Sequence, residues 1–275
     1  MKTILITGAT DGIGLETAKL LASQDHHLLM HGRNSEKLKA AVEQVEQVSS
    51  DTKIDVYLAD LSNFNEITLL TSMIKKEHQS IDVIINNAGI FKTPLAITND
   101  GLDIRFVVNT FAPVIITQSL LPILSDHGRV VSLSSAAQAP IDHRAMTGEL
   151  TLNDDFQAYA QSKLALTIWS HQESNILKPN QVAVAVNPGS LLASKMVKEG
   201  FGMAGNELSI GSEILVKAAL SDEFADASGK YFDNDSKQFA APHNFASSQD
   251  NCHRVIATIN SVIEKYIDTK ETQLH

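Results

Sequence analysis

Short apolar runs recur along the chain, each separated from the next by a helix-length stretch of longer hydrophobic period. ILIT (4–7), HLLMHG (27–32), IDVYLA (54–59), IDVIIN (81–86), RVVSLS (129–134) and VAVAVN (182–187) read as strands, with KYF (230–232) a weaker seventh. Several are apolar at nearly every position. A strand buried on both faces reads that way, because helices cover each side of a parallel sheet. Helical periodicity fills the intervals at roughly 13–23, 35–48, 63–78, 101–124, 155–177, 211–220 and 249–268. In the last of these, Val255, Ile256, Ile259, Val262, Ile263, Tyr266 and Ile267 form one apolar stripe. The alternation predicts an α/β fold with a doubly wound, mainly parallel sheet of about seven strands. No linker, repeat or low-complexity tract interrupts it, so a single domain over residues 1–275 is expected.

Two stretches break the rhythm. Residues 136–154 lie between a strand and a helix, and residues 190–210 carry Gly200, Gly202 and Gly205 beside Met196, Phe201 and Met203. Both follow the C-terminal end of a strand, where such sheets bind ligands, and both are expected to serve as substrate loops. Met196, Phe201 and Met203 suit either a pocket wall or a collapsed flap. His143, in the first stretch, suits either a substrate contact or a solvated loop.

Composition narrows the functional classes. The net charge of −10 argues against a nucleic-acid partner, which would require a basic face. The lone Cys252 allows no intrachain disulfide, so a reducing, cytoplasmic setting is expected. No signal peptide and no continuous apolar run of membrane-spanning length is visible, so no membrane partner is expected. The pair His26–His27 and His243 have no second ligand at a recognisable spacing, and no metal is expected.

Candidate chemistry begins after the first strand. Gly8, Gly12 and Gly14 separate that strand from the first helix. A turn of this kind lets backbone approach a pyrophosphate, and the helix N-terminus meets it with free N–H groups. The spacing G-x-x-x-G-x-G also suits an ordinary strand–helix turn. At the end of the second strand, where an NAD-binding fold places an acid on the ribose, stand His31, Gly32, Arg33 and Asn34. Arg33 is suited to a 2′-phosphate, which favours NADP(H) over NAD(H).

Tyr159 and Lys163, in YAQSK, lie four residues apart and so share one helical face. A nearby ammonium lowers a phenol's pKa, although the same spacing fits a solvated surface pair. Pro113 follows Asn109 by four residues and has no N–H to bond its carbonyl. That carbonyl is left for a water, or the helix is kinked for packing. Ser134 and Ser135 alternate on their strand, so only one can point at a site.

TGATDGIG, INNAG (85–89), Asn109 in VVNTF, Ser135 in SLSS, YAQSK and NPG (187–189) occur in this order. Together they resemble the short-chain dehydrogenase/reductase family of the classical type, from about residue 3 to about 190. FQAYAQSKLA, SGKYF (228–232) and the long interval from Ser135 to Tyr159 resemble the subgroup of retinol dehydrogenases and related carbonyl reductases. Many of that subgroup carry an N-terminal membrane anchor, which is not seen here, so a membrane-bound retinoid role is not expected.

The resemblance implies a Rossmann-type fold and hydride transfer between a nicotinamide and a small-molecule carbonyl or secondary alcohol. It implies that Gly8, Thr10, Asp11, Gly12, Ile13 and Gly14 form the dinucleotide loop. Asp60 and Leu61 would lie toward adenine, and Asn86, Asn87, Ala88 and Gly89 toward the ribose. Pro188 and Gly189 would lie beside the nicotinamide. Ser135 would polarise the substrate carbonyl, Tyr159 would be the acid/base, Lys163 would hold the ribose and lower the Tyr159 pKa, and Asn109 would anchor a relay water. Ala193 falls where the family often has a threonine that bonds the nicotinamide amide, with Ser194 next to it; either Ser194 substitutes through a loop shift or that contact is missing. A homodimer or homotetramer through the helices at 101–124 and 155–177 would be in character. A non-catalytic dinucleotide-binding redox sensor is the alternative, but such proteins often lose the tyrosine or lysine present here.

Overall fold

The apolar runs pair into one sheet of strand order β3-β2-β1-β4-β5-β6-β7-β8. The computed structural model describes residues 1–190, 192 and 206–271. Its strands are β1 (Thr3–Ile6), β2 (His27–Gly32), β3 (Ile54–Leu58), β4 (Ile81–Asn86), β5 (Leu124–Leu133), β6 (Val182–Asn187), β7 (Tyr231–Asp233) and β8 (Gln238–Ala240). Neighbours from β3 through β7 pair in parallel, and β8 returns antiparallel to β7. The eighth strand is the addition to the expected sheet. Its three residues, QFA, are too few to show a period, and they follow a turn that puts Lys237 at φ 55°.

Among the described residues, seven longer helices cover the sheet: α1 (Gly12–Ala22), α2 (Ser35–Glu46), α3 (Phe64–Glu77), α4 (Ile104–Ile123), α5 (Asp155–Glu173), α6 (Leu208–Leu220) and α7 (Gln249–Glu271). Alternation in the strands feeds two cores. Ile4 and Ile6 of β1 pack with α1, α2 and α6, whereas Leu5 packs with α3, α4, α5 and α7. α4 has the length and apolar character of a membrane span, but 67% of that stretch is buried inside the fold. The sheet reverses its order at β1 and β4, which opens a crevice at their C-terminal ends.

Helix α5 sits between the sheet and its neighbours, and almost every residue from Ala158 to Ser170 is buried. A buried ion-pair cluster fixes where it starts. The guanidinium of Arg105, fully buried at the start of α4, donates to Asp103 Oδ1 at 2.8 Å and Oδ2 at 2.7 Å, and also to Asp155 in the first turn of α5. Bidentate geometry suits the planar guanidinium and holds the two helices in register.

Residues 136–154 behave as a packed insert along most of their length. Ala139, Ile141, Ala145 and Met146 are buried, and a helical turn spans His143–Met146. Gln138 Oε1 accepts from the His243 N–H at 2.8 Å, and His143 Nδ1 lies 3.0 Å from Thr258 Oγ1 of α7. His143 is therefore committed to the last helix. Tyr266 of that helix donates to the Asp100 carbonyl at 2.9 Å.

One buried carboxyl makes stability depend on pH. Glu173 is 2% exposed near the end of α5, and burial pushes its pKa up to about 7, partly offset by a hydrogen bond from Gln118. The folded chain keeps a proton there that the unfolded chain has already released. Stability from this group is therefore full below the unfolded value near 4.5 and falls as pH rises toward 7. The expected loss approaches about 3 kcal/mol. Glu173→Gln should flatten it, which denaturant midpoints at acidic and mildly alkaline pH would reveal. An unchanged pH slope in the variant would contradict the assignment.

Candidate active site

The crevice is a cavity of about 780 Å³ that runs from the end of β2 across β1 and β4 to the end of β6. Gly8, Thr10, Asp11, Gly12, Ile13 and Gly14 form its floor, between β1 and the N-terminus of α1. Gly8 has φ 67° and Gly12 φ 55°, where a side chain would be strained. At Gly14 an added Cβ would come 2.3 Å from the Gly8 carbonyl oxygen, so the turn closes only without one. Asp11 caps α1 by accepting from the Gly12 N–H at 2.7 Å.

Asn87 clamps this loop from the next strand. Its Nδ2 donates to the carbonyls of Thr7 at 2.8 Å and Gly8 at 3.1 Å. His31 holds the loop from the other side. Its Nδ1 accepts from the Gly8 N–H at 3.2 Å, and its Nε2 lies 3.0 Å from the Ala59 carbonyl oxygen. Burial drives its pKa down to about 4, so the ring is neutral and carries its proton on Nε2. From the sequence, His31 registered only as the lack of an acid. Its role depends on Ala59, 28 residues away, and no local pattern reports that contact.

Arg33, Asn34, Lys37, Asp60 and Leu61 line the cavity toward β2 and β3. Asp60 accepts from Ser62 N at 2.9 Å and Ser62 Oγ at 2.8 Å, which fixes its carboxylate. Two cationic side chains thus stand where the sequence offered Arg33 alone.

At the opposite end, Ser135, Tyr159 and Lys163 meet. The Ala137 N–H donates to Ser135 Oγ at 3.0 Å, and the Ser135 hydroxyl hydrogen-bonds the Tyr159 hydroxyl. Burial raises the Tyr159 pKa, and the bond to Ser135 pulls it back. The sequence reading assigned that lowering to Lys163. In the structure Lys163 Nζ lies 5.8 Å from the Tyr159 ring centre and donates to the Leu133 carbonyl at 2.6 Å. Lys163 is 3% exposed, and burial brings its pKa down to about 7. A solvated surface pair is thereby excluded. Phe91 packs edge-on against Tyr159, with ring centres 5.2 Å apart.

Just past the end of β5, extended backbone sends the two serines to opposite sides. Ser134 turns inward, its Oγ 2.5 Å from Thr167 Oγ1, while Ser135 faces Tyr159.

Pro113 leaves its mark on α4. The turn Val107–Phe111 is widened, with Ala112 N–H bonding the Val107 carbonyl five residues back. Asn109 sits in this wide turn. Its Oδ1 accepts from the Ile90 N–H at 2.8 Å, and its Nδ2 donates to the Ile90 carbonyl at 3.0 Å and to Ser162 Oγ at 2.9 Å. Ser162 in turn donates to the Tyr159 carbonyl at 2.7 Å. The asparagine side chain therefore locks the loop after β4 to the tyrosine helix, a role that was not legible before the fold was known.

Ala88, Gly89, Pro188 and Gly189 also line the cavity. A Cβ on Gly89 would lie 3.4 Å from Lys163 Nζ, in contact with the ammonium. The Pro188 carbonyl accepts from Asn234 Nδ2 at 2.9 Å. Ser190 is held by Asp235, which accepts from its N–H at 2.8 Å and its hydroxyl at 2.5 Å. Of the stretch 136–154, Ala137 lines the cavity. Ala193, Ser194, Met196, Gly200, Phe201, Gly202, Met203 and Gly205 lie outside the described residues.

The glycine floor, the helix N-terminus above it and the cations at one end fit a nicotinamide dinucleotide laid across the crevice. The chain is similar to several known proteins. Human retinol dehydrogenase 13 is 29% identical over 260 residues, covering 88% of this chain and 78% of that protein. Among solved structures, a protein from Mycobacterium Paratuberculosis superposes with a TM-score of 0.79 at 24% identity, covering 96% of this chain and 94% of the other. A short chain dehydrogenase from Burkholderia cenocepacia J2315, solved in complex with NADP, matches with a TM-score of 0.69 at 22% identity, over 84% of this chain and 95% of that one. The family model for short chain dehydrogenase matches residues 2–203, and this chain belongs to that family of oxidoreductases.

Proposed function

We propose that the chain is an NADP(H)-dependent reductase or dehydrogenase that acts on a carbonyl or the matching secondary alcohol of a small molecule. One observation carries this reading. The Ser135 and Tyr159 hydroxyls and the Lys163 ammonium converge at one end of a cavity whose other end holds Arg33 and Lys37. The dinucleotide, when bound, supplies or accepts the hydride.

The chain's own groups handle oxygen and proton. In the direction of reduction, Tyr159 gives its hydroxyl proton to the carbonyl oxygen. Ser135 donates a hydrogen bond to the same oxygen as negative charge develops, a preorganised contribution that costs no reorganisation at that moment. Lys163 stabilises the phenolate left behind. The Asn109 carbonyl, which Pro113 has no N–H to bond, would hold a water that returns the proton. Phe91, Val108, Ala137 and Phe156 give the same cavity apolar walls, which suits a substrate with an apolar body around its carbonyl.

Arg33 and Lys37 would pair with the 2′-phosphate of NADP(H), and an Arg–phosphate pair forms two parallel bonds. Arg33→Ala is expected to raise the KM for NADPH about tenfold or more, the loss of a charge-assisted bond, while that for NADH changes little. The decisive assay follows NADPH and NADH oxidation in parallel against ketones, aldehydes and quinones. Equal turnover with NADH at equal concentration would refute the cofactor preference. No oxidation with any substrate class would refute the carbonyl reading.

A further inference from the structure

Three metal-ligating side chains from three separate elements meet at the end of the sheet away from the crevice. His27 opens β2, Asp55 lies on β3, and His78 follows the last turn of α3. Their donor atoms all lie within 4.8 Å of one another. His27 Nε2 is 2.7 Å and His78 Nε2 3.5 Å from the same oxygen, Asp55 Oδ2. The two rings stand 5.5 Å apart, centre to centre, at 55° to each other.

We propose that His27, Asp55 and His78 form a zinc site. Four donors at about 2.1 Å in a tetrahedron are about 3.4 Å from one another, so the observed triangle needs only small adjustments to close on an ion. Imidazole and carboxylate donors suit Zn²⁺, whereas Mg²⁺ and Ca²⁺ favour oxygen alone. Both imidazole side chains are nearly enclosed, at 7% and 9% exposure, while the Asp55 side chain is 33% exposed. The fourth position therefore opens toward solvent and would take a water. Each ring would ligate through Nε2 and move its proton to Nδ1.

A second layer surrounds the triad. Tyr57 donates to Glu77 Oε2 at 2.7 Å, and its oxygen lies 2.8 Å from His78 Nε2. On ligation His78 Nε2 would exchange the Tyr57 oxygen for the ion, and the Glu77 carboxylate would add negative charge nearby. The ligands are 27, 55 and 78 in the chain, which is no local metal spacing. Parallel pairing of β2 with β3 and the return of α3 bring them together.

From His27 to Gly32 the strand spans about 16 Å, so the ion would sit far from the crevice. It would cross-link two strands and a helix and act on stability. It would leave hydride transfer unchanged.

The test is zinc titration by calorimetry on the full chain stripped with a chelator, with thermal unfolding and NADPH oxidation measured alongside. The wild type should take up one zinc per chain, unfold at a higher temperature with zinc, and turn over at the same rate with and without it. Asp55→Asn, close to isosteric, and His78→Gln should each bind about tenfold or more weakly and lose the thermal shift. His253→Gln, an exposed histidine elsewhere, should behave as the wild type. Cobalt in place of zinc should give the absorption of tetrahedral coordination in the wild type alone. Absence of saturable binding to the wild type would overturn the site. So would stoichiometric binding that survives intact in both ligand variants while they remain folded.

Discussion

Tyr159→Phe is expected to lower turnover by about 10²- to 10⁴-fold, the range that a positioned general acid contributes. The substitution removes one oxygen and keeps the ring that packs edge-on against Phe91. The glycine floor, Asn87, His31 and Arg33 are untouched, so NADPH should still bind, as a fluorescence titration would register. The acid has been tuned by opposing effects. Burial alone would hold its proton too tightly, and the Ser135 hydroxyl works against burial. Ser135→Ala should therefore impair turnover as well, through loss of the donor to the substrate oxygen and through a less acidic tyrosine. Ser134→Ala, whose hydroxyl bonds Thr167 away from the tyrosine, should be far milder. Turnover by Tyr159→Phe within tenfold of the wild type would rule out the tyrosine as the acid.

Arg105→Leu should cost about 3–5 kcal/mol of stability, the penalty for leaving a buried carboxylate without its cation. Asp103, 3% exposed, accepts two of the three guanidinium bonds and also the Arg105 backbone N–H at 2.9 Å. With the cation removed, Asp103 must stay charged and unpaired or take up a proton. Asp155 is less affected because its side chain is 42% exposed and water can replace the lost partner. The expected fall in Tm is on the order of 10 °C for a chain of this size. Adding Asp103→Asn to Arg105→Leu should recover part of the loss. A single variant that unfolds within a degree of the wild type would show that the pair contributes little.

The parts of the fold that sequence disclosed are those with a local period. The central strands announce themselves as apolar runs because both faces are covered, edge strand β3 by its β-branched and apolar residues, and the helices between them as stripes. β8 does not, because three residues on a short antiparallel edge carry no period. The insert at 136–154 is instructive. Its Pro140, Asp142 and Gly148 look like a loop, and its position after β5 suggests a substrate contact. The apolar residues among them, Ala139, Ile141, Ala145 and Met146, are the ones that decide its fate, by packing into the core.

The site divides along the same line. Glycines in a turn and a tyrosine four residues before a lysine are local patterns. The groups that hold them in place are distant in sequence: His31 with Ala59, Asn87 with Gly8, Asn109 with Ser162 and Arg105 with Asp155. Sequence spacing shows which residues carry the chemistry but is silent on the bonds that orient them.

The docking of α7 bears on when during synthesis the protein becomes competent. His143 reaches Thr258 across 115 residues, and Tyr266 reaches Asp100 across 166. The sheet from β1 to β6 can assemble as its strands emerge, since every connection joins neighbouring strands except that from β3 to β4, which passes over β2 and β1. The outer side of the tyrosine helix stays uncovered until α7 has left the ribosome. A nascent chain arrested before that helix would present the apolar seat of Val255, Ile259 and Val262 to chaperones, with the dinucleotide loop already formed.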